Sequence, residues 1–362
     1  MTAKTVKVMI MAGGTGGHVF PALAVADELK QRQVEVSWIG TQRGIESELV
    51  PKAGYPLTFI KVAGLRGNGT LGWLMAPFRV IKAVWQAWRL MRVFNPDVVI
   101  GLGGFASGPG GVAAWLLKKP LLIHEQNAIP GLTNRLLAKI AKRVLTGFPN
   151  SFDDKVEAEW VGNPVRQQIE DLPMPHLRQS ADKSRLKVLV LGGSLGARTL
   201  NEVVPAALQL MDANERPEVR HQCGKKHIDA CRAAYSQAGV EVEITDFIAD
   251  MAAAYSWADL VICRAGALTV AEVAAAGVAS ILVPYPYAVD DHQTHNAALL
   301  VDAGAATLIA DDKLKADALS VSLRQFDQDR EGLLTMANAA RQVAKIGSAT
   351  RIADLCLEYA HG

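Results

Sequence analysis

Short apolar runs alternate with amphipathic or alanine-rich segments along most of the chain, and each run has the length of a strand buried on both faces. In the first half the runs predict strands at Val6–Met11, Val34–Ile39, Leu57–Val62, Val98–Ile100, Leu121–His124 and Arg143–Thr146. In the second half they predict strands at Lys187–Leu191, Val219–Gln222, Val242–Thr245, Leu260–Cys263, Ser280–Val283 and Ala306–Leu308. Helical segments such as Pro21–Arg32, Pro77–Phe94, Thr199–Met211 and Leu268–Ala276 fall between them. Strand–helix alternation predicts parallel sheets wound with helices.

The pattern repeats. Val8-Met9-Ile10-Met11-Ala12-Gly13-Gly14-Thr15-Gly16-Gly17 is similar to Val188-Leu189-Val190-Leu191-Gly192-Gly193-Ser194-Leu195-Gly196. Later in each half, Asp97-Val98-Val99-Ile100 and Asp259-Leu260-Val261-Ile262 enter a Gly/Ala-rich turn. Gly162-Asn163-Pro164 and the polar stretch 171–185 read as hinge and linker. The economical reading is an α/β protein of two Rossmann-like, doubly wound domains, 1–163 and 164–345, facing each other across a cleft. In such folds ligands bind at the carboxyl ends of the strands.

Three glycine loops stand at strand ends: Gly13–His18, Gly103–Gly111 and Gly192–Gly196. Glycine permits positive φ and close approach to backbone N–H groups, and the following helix start adds partial positive charge. Together these suit a diphosphate. No Gly-Lys-Ser/Thr follows any loop, which disfavours phosphoryl transfer from ATP. Gly101-Leu102-Gly103-Gly104-Phe105-Ala106 fits a dinucleotide fingerprint, with Glu125 at the end of the next strand, so an oxidoreductase stays open at this point.

Composition is ordinary for a globular chain of 362 residues: half apolar and a fifth charged. Four cysteines (Cys223, Cys231, Cys263, Cys356) give neither a disulfide framework nor metal-binding spacing, which fits a reducing compartment. The net charge of +2 hides a split, with residues 1–160 at +8 and 161–362 at −6. Val8–Ala26 imitates an export signal, but Gly13–His18 interrupts it. Val98–Leu117 is long enough to span a bilayer, yet its six glycines and Pro109 argue against a helix there.

Polar groups collect at strand ends. His18 closes the first glycine loop, where an imidazole can donate to a phosphate oxygen or act as a base near neutral pH; a histidine merely satisfied by backbone is the competing reading. His124-Glu125-Gln126-Asn127 reads as a cleft lining, because such a run is costly in a core. Arg166 and Ser194 are phosphate partners by chemistry. Glu272, early in a helix after Arg264-Ala265-Gly266, can accept from both ribose hydroxyls, or simply favour the helix dipole. Asp290–Asn296 suits sugar hydroxyls, and its acidic and histidine residues are too few and too adjacent for a metal site. We expect no metal and no cofactor.

From Leu49 to Pro96 no acidic residue occurs, against seven lysines and arginines. Wound as a helix, Pro77–Phe94 shows one stripe of Val80, Val84, Met91 and Phe94, suited to the core. A second stripe, Phe78, Ile81, Trp85 and Trp88, lies beside Lys82 and Arg89, with Trp73 just upstream. A second apolar stripe flanked by cations suits an anionic membrane surface; burial on two sides is the alternative. Nucleic acid is disfavoured by the small net charge and the acidic second half.

Gly13-Gly14-Thr15-Gly16-Gly17-His18-Val19-Phe20-Pro21, Gly103-Gly104-Phe105-Ala106-Ser107-Gly108-Pro109, His124-Glu125-Gln126-Asn127, Gly162-Asn163-Pro164-Val165-Arg166 and Arg264–Glu272 together resemble the MurG family of bacterial cell-wall glycosyltransferases, over nearly the whole chain. The resemblance implies the GT-B architecture and inverting transfer of N-acetylglucosamine from UDP-GlcNAc to the MurNAc 4-hydroxyl of lipid I. That acceptor is undecaprenyl-pyrophosphoryl-MurNAc-pentapeptide, and the product is lipid II. The resemblance further implies a peripheral place on the cytoplasmic face of the inner membrane, partners among cell-wall synthesis proteins, and a terminal helix, 346–362, packing back on the first domain.

Carried over by motif, Ser194 and Arg166 serve the donor diphosphate, and the Ile248 backbone reads the uracil. Ala267, Leu268, Thr269, Val270 and Ala271 face the diphosphate, Glu272 takes the ribose and Gln293 the sugar. Thr15, Gly16, Gly17 and Asn127 close on the donor or on the acceptor diphosphate. His18 is the first candidate for the base, with His124 and Glu125 in reserve. Leu195 stands where the family usually has Gln, and Ala265 where many members have Ser. Another UDP-sugar enzyme of the same architecture, an epimerase or a soluble transferase, is the nearest rival.

Overall fold

The computed structural model describes residues 5–62, 75–178, 185–193 and 196–361. Trp73, Ser194 and Leu195 lie outside the described residues. The chain divides into two units, Met1–Arg166 with Gly347–Gly362, and Gln167–Ile346. This division falls three residues beyond the boundary read from the hinge motif, so Arg166 belongs to the first unit.

The first unit is built on a parallel sheet of β1 (Lys7–Met11), β2 (Glu35–Gly40), β3 (Leu57–Phe59), β4 (Val98–Gly101), β5 (Leu121–Glu125), β6 (Arg143–Thr146) and β7 (Ala158–Trp160). Its order is β3-β2-β1-β4-β5-β6-β7. β1 reads as a continuous apolar run because both faces are covered. Val8 and Ile10 face one core layer with the helix Gly16–Gln31, while Met9 and Met11 face another with Met91 and Ala113. The terminal helix Ser348–His361 contributes Ile352, Ala353, Leu355 and Cys356 to the first of these layers. It is tied further by Arg32–Asp354 and by Arg351–Glu159 at 2.8 Å.

The second unit repeats the plan with β8 (Lys187–Leu191), β9 (Glu218–Gln222), β10 (Glu243–Thr245), β11 (Leu260–Cys263), β12 (Ala279–Leu282) and β13 (Ala306–Leu308), in the order β10-β9-β8-β11-β12-β13. In each sheet the strand order reverses at one place, between β1 and β4 and between β8 and β11. Loops leaving the carboxyl ends of those strands splay apart there, which opens a crevice for ligands.

Two segments depart from the sequence reading. Ser107–Leu116 is a helix despite Gly108, Pro109, Gly110 and Gly111. Pro109 sits in the first turn, where its missing N–H has no intrahelical acceptor to lose. The glycines let this helix lie close: a Cβ on Gly110 would fall 2.0 Å from Met11 Sδ, and one on Gly111 2.6 Å from Leu137 Cδ2. The edge strand β7 is three residues long and carries no readable alternation. Among the described residues no helix is long and apolar enough to cross a membrane.

Candidate active site

In the first unit the loops after β1 and β4 flank the reversal of strand order. Gly14 adopts φ +94°, and the helix beginning at Gly16 leaves the Gly16 and Gly17 amides without an intrahelical acceptor. Thr15 is exposed at its N-cap. The second loop packs directly on the first. Gly103 and Gly104 have φ of +90° and +82°, and a Cβ on Gly104 would lie 2.2 Å from Gly13 O. These glycines serve loop-on-loop packing.

His18 lies half-buried in this arrangement. Its ring edge covers Gly103, and Nδ1 is 3.4 Å from Thr15 Oγ1. Arg166 holds its guanidinium 5.7 Å from the Phe20 ring centroid, which places a cation beside the same helix start.

Glu46 was not singled out by the sequence reading, yet it anchors the first loop. Fully buried, its carboxylate accepts from Gly14 N at 2.8 Å, Thr41 N at 2.9 Å and Thr41 Oγ1 at 2.7 Å. Gly13, Gly40 and Gly44 surround it, and a Cβ on any of them would come within 2.7 Å of the Glu46 side chain. Three glycines clustering on one carboxylate were visible in the chain only as scattered turn residues.

The run His124-Glu125-Gln126-Asn127 was expected to line a cleft. Instead His124, Glu125 and Gln126 are buried, and only Asn127 is half-exposed. Glu125 accepts from Asn127 N, Asn127 Nδ2, Gly131 N and Asn134 Nδ2 at 2.8–3.2 Å, so it folds the turn that presents Asn127. His124 Nε2 pairs with Gly162 O at 2.9 Å, and burial lowers its pKa to about 4, against smaller opposing effects of Gly162 and Glu125. Of the three candidate bases, His124 and Glu125 are buried and His18 is half-buried.

His221 is the buried counterpart in the second unit, between Tyr235 OH at 2.8 Å and Asn201 Oδ1 at 3.0 Å, with its pKa lowered by burial to about 3. Both histidines stay neutral when folded but bind a proton when unfolded, so stability falls as pH drops from 6.5 toward 4. By pH 5 each unit loses about 2 kcal/mol, read as a lower urea midpoint at pH 5 than at pH 7. An unchanged midpoint would contradict this placement.

In the second unit, Gly193 and Gly196 have φ of +77° and +78°. The Gln222 side chain clamps this loop, accepting from Gly193 N at 3.0 Å and donating to Gly193 O at 3.1 Å and Asp246 O at 2.9 Å. After β11, Gly266 caps the helix Ala267–Ala276 without a side-chain cap. The amides of Ala267, Leu268 and Thr269 are therefore open. Val270 N already donates to Gly266 O at 2.9 Å and its side chain is core, and Ala271 lies beyond it in the helix; the five-residue run thus offers three amides rather than five.

Glu272 is buried and accepts from Tyr255 OH at 3.2 Å. Ala265 is also buried, and its carbonyl accepts from Asn296 Nδ2 at 3.2 Å. Gln293 accepts through Oε1 from Tyr285 N at 2.9 Å, which turns its amide nitrogen outward as a donor. Arg264 donates to Val283 O, Pro284 O and Asp311, fixing the strand-end loop behind Tyr285. Ile248 sits half-buried in the loop after β10. Among the described residues no group of three or more His, Cys, Asp or Glu is assembled to hold a metal ion.

Family models for the glycosyltransferase family 28 N-terminal domain and C-terminal domain match residues 8–146 and 187–354. A relative from Nitrosococcus oceani, named UDP-N-acetylglucosamine–N-acetylmuramyl-(pentapeptide) pyrophosphoryl-undecaprenol N-acetylglucosamine transferase, is 55% identical over 357 residues, covering 99% of each chain. The chain belongs to the MurG family.

The crystal structure of Acinetobacter baumannii MurG is similar to it at a TM-score of 0.83 and 43% identity, covering 98% of this chain and 99% of that one. The calicheamicin glycosyltransferase CalG4 shares the fold at a TM-score of 0.66 and 16% identity, covering 99% of each. Two Rossmann-like units in this company are the GT-B architecture of the MurG family.

The basic aromatic helix Ala76–Phe94 turns Phe78 (65% exposed), Ile81 (65%) and Trp85 (52%) outward with Lys82 and Arg89. Arg89 stacks on Trp85 at 5.0 Å. Two assignments change. Val80 is exposed, and Trp88 packs half-buried on the core, whose stripe is Ala76, Ala83, Ala87 and Met91. Trp115 and Leu116 on the neighbouring helix Ser107–Leu116, and Leu132 and Leu136 on Leu132–Leu137, are exposed as well.

Proposed function

We propose that the chain transfers N-acetylglucosamine from UDP-GlcNAc to the MurNAc 4-hydroxyl of lipid I with inversion, giving lipid II. Full-length identity to relatives named for this transfer carries the reading. The second unit takes the donor. Open amides at Ala267, Leu268 and Thr269 receive its diphosphate together with Ser194, Glu272 takes the ribose, the Ile248 backbone the uracil, and Gln293 the sugar. The first unit presents Thr15, Gly16, Gly17 and Asn127 to the acceptor, with Arg166 as the diphosphate's cation. The acceptor hydroxyl attacks the anomeric carbon as the bond to UDP breaks, and the hydroxyl proton passes to His18. Negative charge growing on UDP meets preorganised N–H dipoles, so the reaction requires no divalent cation.

The exposed set around Phe78, Ile81 and Trp85, ringed by cations, rests on an anionic membrane where the lipid-linked acceptor resides. Incubation with labelled UDP-GlcNAc and a lipid I analogue in EDTA tests both parts. The expected product carries a β-linked sugar, and Ile81→Glu with Trp85→Glu lowers pelleting with anionic vesicles about tenfold while sparing transfer to a soluble acceptor. No transfer in EDTA, or unchanged pelleting, would overturn the corresponding part.

A further inference from the structure

β9 lies between β8 and β10, and the three strands end level. Gln222, the last residue of β9, pairs in register with Leu191 on one side and with Thr245 on the other. The loops that leave β8 and β10 therefore start on either side of it. Its carbonyl accepts from Gly192 N at 2.9 Å, in the first of these loops. Its side chain, on a residue only 6% exposed, serves both. Oε1 accepts from Gly193 N at 3.0 Å, while Nε2 donates to Gly193 O at 3.1 Å and to Asp246 O at 2.9 Å. One N–H at Oε1 and two carbonyls at Nε2 settle the carboxamide's orientation. Gly193, at φ +77°, is gripped by its N–H and its carbonyl together, and Asp246 stands two residues before Ile248.

We infer that Gln222 is a positioning residue that couples recognition of the donor's base to recognition of its diphosphate. This deepens the proposed function and rests on it: the Ile248 backbone takes the uracil, and the loop that carries Ser194 takes the diphosphate. One carboxamide shared by two loops means that fixing either loop on its part of the ligand lowers the cost of fixing the other, and the effect is reciprocal. Cytosine reverses the donor and acceptor positions that a backbone N–H and C=O meet on uracil. A base that misfits the loop after β10 then forfeits contacts at the phosphates as well. The preference for uracil over cytosine is therefore larger in the nucleoside diphosphate than in the bare nucleoside.

The test is the binding of uridine, cytidine, UDP and CDP to the ligand-free protein, each measured by displacement of labelled UDP. In the wild type the ratio of Kd for CDP to that for UDP is expected to exceed the cytidine-to-uridine ratio about tenfold. In Gln222→Met the two ratios become equal. They become equal in Gln222→Glu too, because that side chain still accepts from Gly193 N but cannot donate to Asp246 O. Its added charge weakens UDP and CDP alike and cancels in the ratio. A side chain that merely stabilised the unit would weaken all four ligands and leave the excess in place. Equal ratios in the wild type overturn the inference without any variant, as does a tenfold excess that survives in Gln222→Met or Gln222→Glu. If the wild type binds UDP and CDP equally, it is the assignment of the base to Ile248 that fails, and the inference with it.

Discussion

Alanine at position 18 lowers kcat by about 10²–10⁴-fold and leaves donor KM within a few-fold, measured as labelled transfer at saturating acceptor. The size follows from what an imidazole does in the proposed step. It removes a proton from an alcohol that is otherwise a poor nucleophile, and it contributes only as that proton moves. His18 touches the helix start and Gly103, and its ring is half-buried rather than core, so truncation leaves no large cavity. Loss of turnover with an unchanged urea midpoint separates a chemical role from a structural one. A variant within twofold of wild-type kcat would remove His18 from the mechanism.

Glu46→Ala destabilises the first unit by about 3–5 kcal/mol, read as a lower urea midpoint for that unit. Three donors, Gly14 N, Thr41 N and Thr41 Oγ1, lose one buried acceptor together. Replacement by Gln does not restore the site, because its amide end would meet an N–H that needs an acceptor. The loop that Glu46 holds carries Gly16, Gly17 and His18, so transfer falls along with stability. A midpoint within 1 kcal/mol of wild type would show that the loop holds its shape by other means.

The pattern of apolar runs located twelve of the strands described here because doubly covered strands cannot tolerate polar interruptions. It missed β7, too short to show a period. It also opened the second glycine loop too wide, since Gly108, Gly110 and Gly111 are there for close helix packing rather than for a turn. Chemistry was harder to read than fold. His124 and Glu125 have the residue types of bases, and only burial and partners distinguish them from His18. Glu46, Gln126 and Gln222 each act on a loop distant in sequence, through bonds that no local spacing records. The surface stripe was legible in outline, but Trp88 and Val80 exchange places because the buried face is centred on Ala76, Ala83, Ala87 and Met91.

In the proposed transfer, main-chain amides at helix starts neutralise the departing nucleoside diphosphate, and a crystal structure with UDP-GlcNAc bound would show them doing so. The phosphate oxygens are expected within hydrogen-bond distance of the Ala267, Leu268 and Thr269 amides; phosphates bound elsewhere, or bridged by a divalent cation, would refute that role.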